Sequence, residues 1–159
     1  MEKVISQFYT AFNQLDAKKM ASLYHDDIIF EDPAFGILKG EQAKNMWRML
    51  CNSQKEASFN VTFSDIQVHK NSGSAKWEAH YTFSKTGRKV HNKITAHFEF
   101  KDGEIIKHTD YFNLYNWSKQ ALGFSGYLLG WTSFFKKKLN TQTNNLLTKF
   151  EKSISSQKI

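Results

Sequence analysis

At 159 residues and 40% hydrophobic content, with 14 Phe and a single Pro, the chain can bury one real core. That composition excludes disordered, collagen-like and repeat architectures. The net charge of +7 sits mostly in the tail: from Ser118 onward there are seven Lys against Glu151 alone, so the body carries little of the charge that marks nucleic-acid binding.

No apolar run reaches the roughly 20 residues a membrane span needs. The opening MEKVISQFYTAF lacks the form of a signal peptide. The lone Cys51 excludes an internal disulfide and fits a reducing compartment, so a cytoplasmic location is expected. Cys51 lies on a helical pattern with no nucleophile motif around it and reads as buried structure.

Val4, Phe8, Ala11, Phe12 and Leu15 recur at helical spacing and predict a first helix from about Glu2 to Gln14. Asp16 can cap a short second helix carrying Met20, Leu23 and Tyr24. His25-Asp26-Asp27 breaks to a strand over Ile28 to Asp32, which Pro33 ends. Ala34 to Lys39 reads as a loop. Gly40-Glu41 opens a third helix with Ala43, Met46, Trp47 and Leu50 inward. Strands follow at about Phe59 to His69 and Ser74 to Ser84, with turns at Asn71-Ser72-Gly73 and Thr86-Gly87. On the second of them Ala75, Trp77, Ala79, Tyr81 and Phe83 face in.

The stretch Lys89 to Trp117 predicts two long antiparallel strands. Val90, Ile94, Ala96, Phe98 and Phe100 alternate with polar residues on the first. On the second, Ile106 and Phe112 share a face with His108 and Asp110. A three-residue turn, Lys101-Asp102-Gly103, brings the apolar faces together by pairing Phe98 with Ile106, Ala96 with His108 and Ile94 with Asp110. An ionisable pair thus occupies positions that the alternation reserves for apolar side chains. A carboxylate there is costly to ionise unless something stabilises the anion, which makes Asp110 the first candidate for chemistry.

Helices first and hairpin-linked strands after argue an α+β fold, with helices on one face of a strongly curved antiparallel sheet. After Trp117 come a short helix from Ser118 to Leu122 stopped by Gly123, a compact apolar segment from Gly126 to Trp131, and a last helix from Thr132. Its stripe, Phe135, Leu139, Leu146 and Phe150, is expected to cover the barrel mouth or a partner subunit. The lesser alternative is a membrane-surface helix, with Trp131, Phe134 and Phe135 beside Lys136, Lys137 and Lys138.

HDDIIFEDPAFGILKG (His25 to Gly40) and KDGEIIKHTDYFNL (Lys101 to Leu114) resemble the nuclear transport factor 2-like superfamily, in particular its SnoaL-like polyketide cyclase, ketosteroid isomerase and limonene epoxide hydrolase branches. The resemblance spans about Val4 to Trp117. It implies a cone-shaped α+β barrel with an interior pocket, often dimeric, with the N-terminal helices on the concave face of the sheet. The organisation expected is a barrel domain over 1–117 and a helical extension over 118–159.

Glu31-Asp32-Pro33 is similar to the strand end where ketosteroid isomerases keep an aspartate base, which makes Asp32 its counterpart. Phe8 and Ala96 stand where those enzymes carry a tyrosine and a protonated aspartate as oxyanion donors. Trp77 and Ala79 stand where the epoxide hydrolases have an arginine and an aspartate, and Asp110 matches their third acid. In SnoaL-like cyclases an aspartate at the Asp110 position looks to be the general base.

The expected site is therefore Asp110, Asp32 and His108 as catalytic groups, with Trp77, Asn92, Phe8, Ala96 and Phe112 against the ligand. Proton abstraction beside a carbonyl needs only a desolvated carboxylate and one donor for the enolate; His108, Asn92 or Trp77 could be that donor. No cofactor and no metal is expected, because His80, His91 and His97 face away from the pocket and no zinc spacing, phosphate loop or G-x-S-x-G elbow occurs. Expected partners are a small apolar molecule and a second copy of the chain. The expected function is cofactor-independent proton transfer on an apolar carbonyl or polycyclic compound, with isomerisation, cyclisation or water addition as outcome; a non-catalytic ligand-binding or protein-interaction module of the same fold is the alternative.

Overall fold

The computed structural model describes residues 1–54 and 58–156. Six helices and six strands follow in the order α1 (Glu2–Asn13), α2 (Ala17–Ser22), β1 (Tyr24–Asp32), β2 (Gly36–Lys39), α3 (Glu41–Ser53), β3 (Asn60–His69), β4 (Ser72–Phe83), β5 (Arg88–Lys101), β6 (Glu104–Tyr111), α4 (Leu114–Leu122), α5 (Phe124–Leu129) and α6 (Ser133–Ser156). The strands form one sheet in the order β2-β1-β6-β5-β4-β3. Every neighbouring pair is antiparallel except β1 with β6, which run parallel. The sheet curls without closing. Register shifts in the β1–β6, β3–β4 and β5–β6 pairs mark the bulges that bend it.

The α+β architecture matches the expectation, and helix one ends within a residue of it. Asp16 caps α2 by accepting from the Lys19 backbone N–H at 2.9 Å. Helix α1 lays Ile5, Phe8, Tyr9 and Phe12 into the concave face, all 4% exposed or less. Each such side chain contributes about 1.5–3 kcal/mol of burial. Ala43, Met46, Trp47 and Cys51 of α3 close the same core.

Three local readings are corrected. His25-Asp26-Asp27 does not break the chain before β1; the strand begins at Tyr24 and accommodates these polar residues where its pairing with β6 slips. Part of the expected loop, Gly36–Lys39, is strand β2, paired back onto β1 across Pro33. Ser72 and Gly73 belong to β4 rather than to the preceding turn.

The β5–β6 register also differs from the expected one. The turn has two residues, Asp102 and Gly103, both with positive φ (52° and 85°), as a type I′ hairpin requires. The irregularity sits on β6 instead: Glu99 pairs with Lys107 and Phe100 with Ile105, so Ile106 is the extra residue of a bulge. Phe98 therefore pairs with His108 and Ala96 with Asp110. Ile105 rather than Ile106 fills the core, and it is fully buried.

The C-terminal helix α6 packs on its own chain. Asn140 Nδ2 donates to the Pro33 and Ala34 carbonyls, Thr143 Oγ1 to Ala34 and Asn144 Nδ2 to Phe35, so one helix face reads the backbone of the β1–β2 connection. Asn45 of α3 donates to Glu151 at 3.0 Å. The apolar anchor is Leu147, fully buried, whereas Leu146 of the expected stripe is 57% exposed. Among the described residues no helix is long and apolar enough to cross a membrane.

Candidate active site

The site starts from the parallel pair. Beyond their last paired residues, Glu31 with Thr109, β1 and β6 continue to Asp32 and Asp110. Both carboxylates line a cavity of about 130 Å³. Its apolar wall includes Phe12, Phe30, Trp47, Phe59, Ile94 and Phe112, and its polar groups besides the two acids are Gln54, Trp77, Tyr81 and Asn92.

Asp110 is 3% exposed and is held from behind. Trp77 Nε1–H donates to its Oδ1 at 3.2 Å, and His108 Nε2 reaches the same oxygen at 3.0 Å. His108 Nδ1 lies 2.7 Å from the Tyr24 hydroxyl, which in turn accepts from Trp47 Nε1–H at 2.8 Å. Only one direction of proton donation satisfies this chain throughout. Trp47 donates to Tyr24, Tyr24 to His108 Nδ1, and His108 Nε2–H to Asp110. Burial, then the charge of Asp110, raise the Tyr24 phenol well above its ordinary value, so it stays a donor. No hydrogen bond among the described residues occupies Oδ2 of Asp110, the oxygen left for a ligand.

His108 sits inside a case of rings. Phe8, Phe30 and Phe98 lie within 5.3 Å of it centroid to centroid, and Trp47 stacks on it at 6.0 Å. It is wholly buried and takes no part in the cavity wall. Its hydrogen-bond partners are Asp110 and Tyr24. Phe8 and Ala96, both fully buried, also lie behind the wall: Phe8 packs on His108 and Tyr24, and Ala96 pairs with Asp110 from β5. Trp77, Asn92, Phe112, Asp32 and Asp110 are brought together on the cavity.

Asp32 has a different environment. Its Oδ1 accepts from the backbone N–H of Ala34 at 3.0 Å and of Phe35 at 2.6 Å, the turn that follows Pro33. Burial nonetheless pushes its carboxyl up to about 7, with the charge of Asp110 adding to the rise against these hydrogen bonds.

Sequence reasoning missed Tyr24, Trp47, Tyr81 and Gln54. Tyr24 falls on a helical pattern in the sequence, and the parallel β1–β6 pairing that aims it at His108 leaves no local pattern. Tyr81 faces in as the alternation predicts: its hydroxyl accepts from Trp117 Nε1–H at 2.8 Å while its side chain lines the cavity.

One metal-competent grouping occurs among the described residues, and it lies outside the cavity. Glu78, His80 and His91 bring donor atoms within 4.8 Å of one another on the opposite sheet face. The two imidazoles are a cross-strand pair stacked at 3.8 Å, and Glu78 already bonds His91 Nε2. This places the histidines on the face expected for them.

Comparison with known proteins bears on the fold and the family. No functionally curated protein matches the chain. Among solved structures, an LEH-like epoxide hydrolase from M. tuberculosis superposes with a TM-score of 0.61 at 21% identity, over 80% of this chain and 89% of that one. A putative polyketide cyclase from Pseudomonas putida gives 0.58 at 21% identity, over 74% and 95%. A hypothetical protein with a ketosteroid isomerase-like fold from Catenulispora acidiphila, solved with trimethylamine, gives 0.64 at 13% identity, over 74% and 91%. These likenesses establish the nuclear transport factor 2-like fold. The family profile of the SnoaL-like domain matches residues 5–108, about two thirds of the sequence, and the chain belongs to that family.

Proposed function

We propose that the protein binds a small apolar carbonyl compound in the Asp32–Asp110 cavity and transfers a proton on it without a cofactor. The observation that carries this reading is the one-way hydrogen-bond chain that ends on Asp110 at a mostly apolar cavity. Asp110 acts as the general base through Oδ2, the atom that no donor among the described residues occupies. Trp77 and His108 hold its other oxygen and fix its orientation, which limits the reorganisation a base would otherwise undergo. Asp32, with its carboxyl near 7, is suited to give or take a second proton at neutral pH. The Asn92 side-chain amide lines the cavity, makes no hydrogen bond among the described residues, and serves as donor to the developing oxyanion.

The cavity volume narrows the substrate. About 130 Å³ is close to the roughly 150 Å³ of a cavity that takes up benzene. That favours a single-ring or short-chain carbonyl over a polycyclic one. The test is deuterium uptake at the α-carbon of small cyclic ketones in heavy water. Wild-type protein is expected to accelerate uptake and Asp110→Asn to abolish the acceleration with the fold intact; equal rates for both would remove Asp110 from the chemistry.

A binding role without turnover is the second reading. It is favoured by Phe8, which offers no donor at the tyrosine position, and by the backbone hydrogen bonds that give Asp32 a turn-forming job. Ketone binding that quenches Trp77 fluorescence, with no deuterium uptake, would select it.

A further inference from the structure

We propose that the elbow between α5 and α6 is a docking surface for an anionic lipid bilayer. Six large apolar side chains crowd here: Phe124, Tyr127, Leu128, Leu129, Trp131 and Phe134, each between 50% and 76% exposed. Within α5, Phe124, Tyr127 and Leu128 follow i, i+3, i+4 spacing and so share one side, and Trp131 follows in the turn that leads to α6.

The opposite side explains why they stay outside. Gly126 and Gly130 are buried against Ser118 of α4, whose Oγ donates to the Gly126 carbonyl at 3.1 Å. A Cβ on Gly126 would lie 1.9 Å from the Ser118 carbonyl oxygen, and one on Gly130 would lie 1.8 Å from Ser118 Oγ. The segment is thus pinned by its glycine face. The tight fit fixes the large side chains outward; they cannot turn inward without breaking it.

Charge identifies the occupant. Lys136, Lys137 and Lys138 follow Phe134 and Phe135 in the chain and are all exposed. The only acid after Ser118 is Glu151, which is engaged by Asn45 more than two turns further on. Three cations in the opening turns of α6 oppose its dipole, a local cost that an anionic surface offsets. Exposed Trp, Tyr and Phe beside lysines match the boundary between headgroups and acyl chains, where apolar insertion and headgroup attraction act together. The apolar face of α6 itself is already spent on its own chain through Leu147, so the elbow is a separate surface.

The test is co-sedimentation of the full chain with sucrose-loaded vesicles, either phosphatidylcholine alone or equal parts phosphatidylglycerol and phosphatidylcholine. Binding is expected on the anionic vesicles only, weakening as salt rises. Lys136→Gln, Lys137→Gln and Lys138→Gln together should weaken it roughly a hundredfold. Trp131→Ser with Phe134→Ser should weaken it by about tenfold or more. Both variants change exposed side chains, and an unchanged thermal midpoint establishes that they fold. No binding, equal binding to both vesicles, or variants that bind like wild type would overturn the proposal. So would a wild-type dimer that Trp131→Ser disperses while vesicles go unbound, which would make the elbow a contact between copies.

Discussion

His108 and Asp110 stand two residues apart on β6 and meet side chain to side chain, Nε2 to Oδ1 at 3.0 Å. One is sealed in aromatic rings; the other lines the cavity. The pair is possible because the bulge at Ile106 turns both inward together with Ile105.

The chain that feeds this pair is fully buried, which sets the cost of interrupting it. Tyr24→Phe would leave Trp47 Nε1–H and His108 Nδ1 without partners in an apolar enclosure. A loss of about 2–4 kcal/mol is expected in urea unfolding. A change below about 0.5 kcal/mol would mean that the hydroxyl is not a structural link.

Asp32 makes stability depend on pH. Its folded carboxyl titrates near 7, above the ordinary 3.8. Between those values the folded state holds a proton that the unfolded state has released. Stability from this group is therefore full below about pH 4, falls as pH rises, and levels off above about pH 7. Asp32→Asn keeps an oxygen for the Ala34 and Phe35 N–H groups and removes the titration. The variant should be more stable than wild type at pH 8, by up to about 4 kcal/mol, and indistinguishable from it near pH 4. Parallel unfolding curves at the two pH values check the sign.

The buried anchor of α6 separates two adjacent leucines. Leu147→Ala should cost about 2–5 kcal/mol, because Leu147 is fully buried. Leu146→Ala, at a position 57% exposed, should stay within about 0.5 kcal/mol. Thermal unfolding of the two variants decides whether α6 docks in this register.

The α4–α5 contact is equally specific. Gly126→Ala places a methyl carbon 1.9 Å from the Ser118 carbonyl oxygen, where only backbone can yield. A loss of about 1–3 kcal/mol is expected, along with faster proteolysis in the segment after Gly123. Unchanged proteolysis would mean that α5 is not held by this face.

Much of this was readable from residue alternation. The inward sets of β4 and β5, and the anomaly of two ionisable residues on an inward face of β6, follow from period two alone. The parallel partner of β6 did not, since His25-Asp26-Asp27 reads locally as a break and parallel pairing has no hairpin to announce it. Without that pairing, Tyr24 could not be seen behind His108, nor His108 as a residue screened from the cavity. The bulge was hidden for a related reason: an extra residue can be placed in the turn or in the strand, and alternation constrains only their sum. The tail was misread by one position, Leu146 for Leu147, because two adjacent leucines give helical periodicity no means to choose.

The most direct test of the central claim, that Asp32 and Asp110 share one electrostatic site, is the carbon-detected NMR titration of the Asp32 carboxyl in wild type and in Asp110→Asn. The account predicts a midpoint of about 7 in wild type and a lower one once the charge of Asp110 is gone. A midpoint near 3.8, the same in both proteins, would contradict it and leave two carboxylates that merely happen to line one cavity.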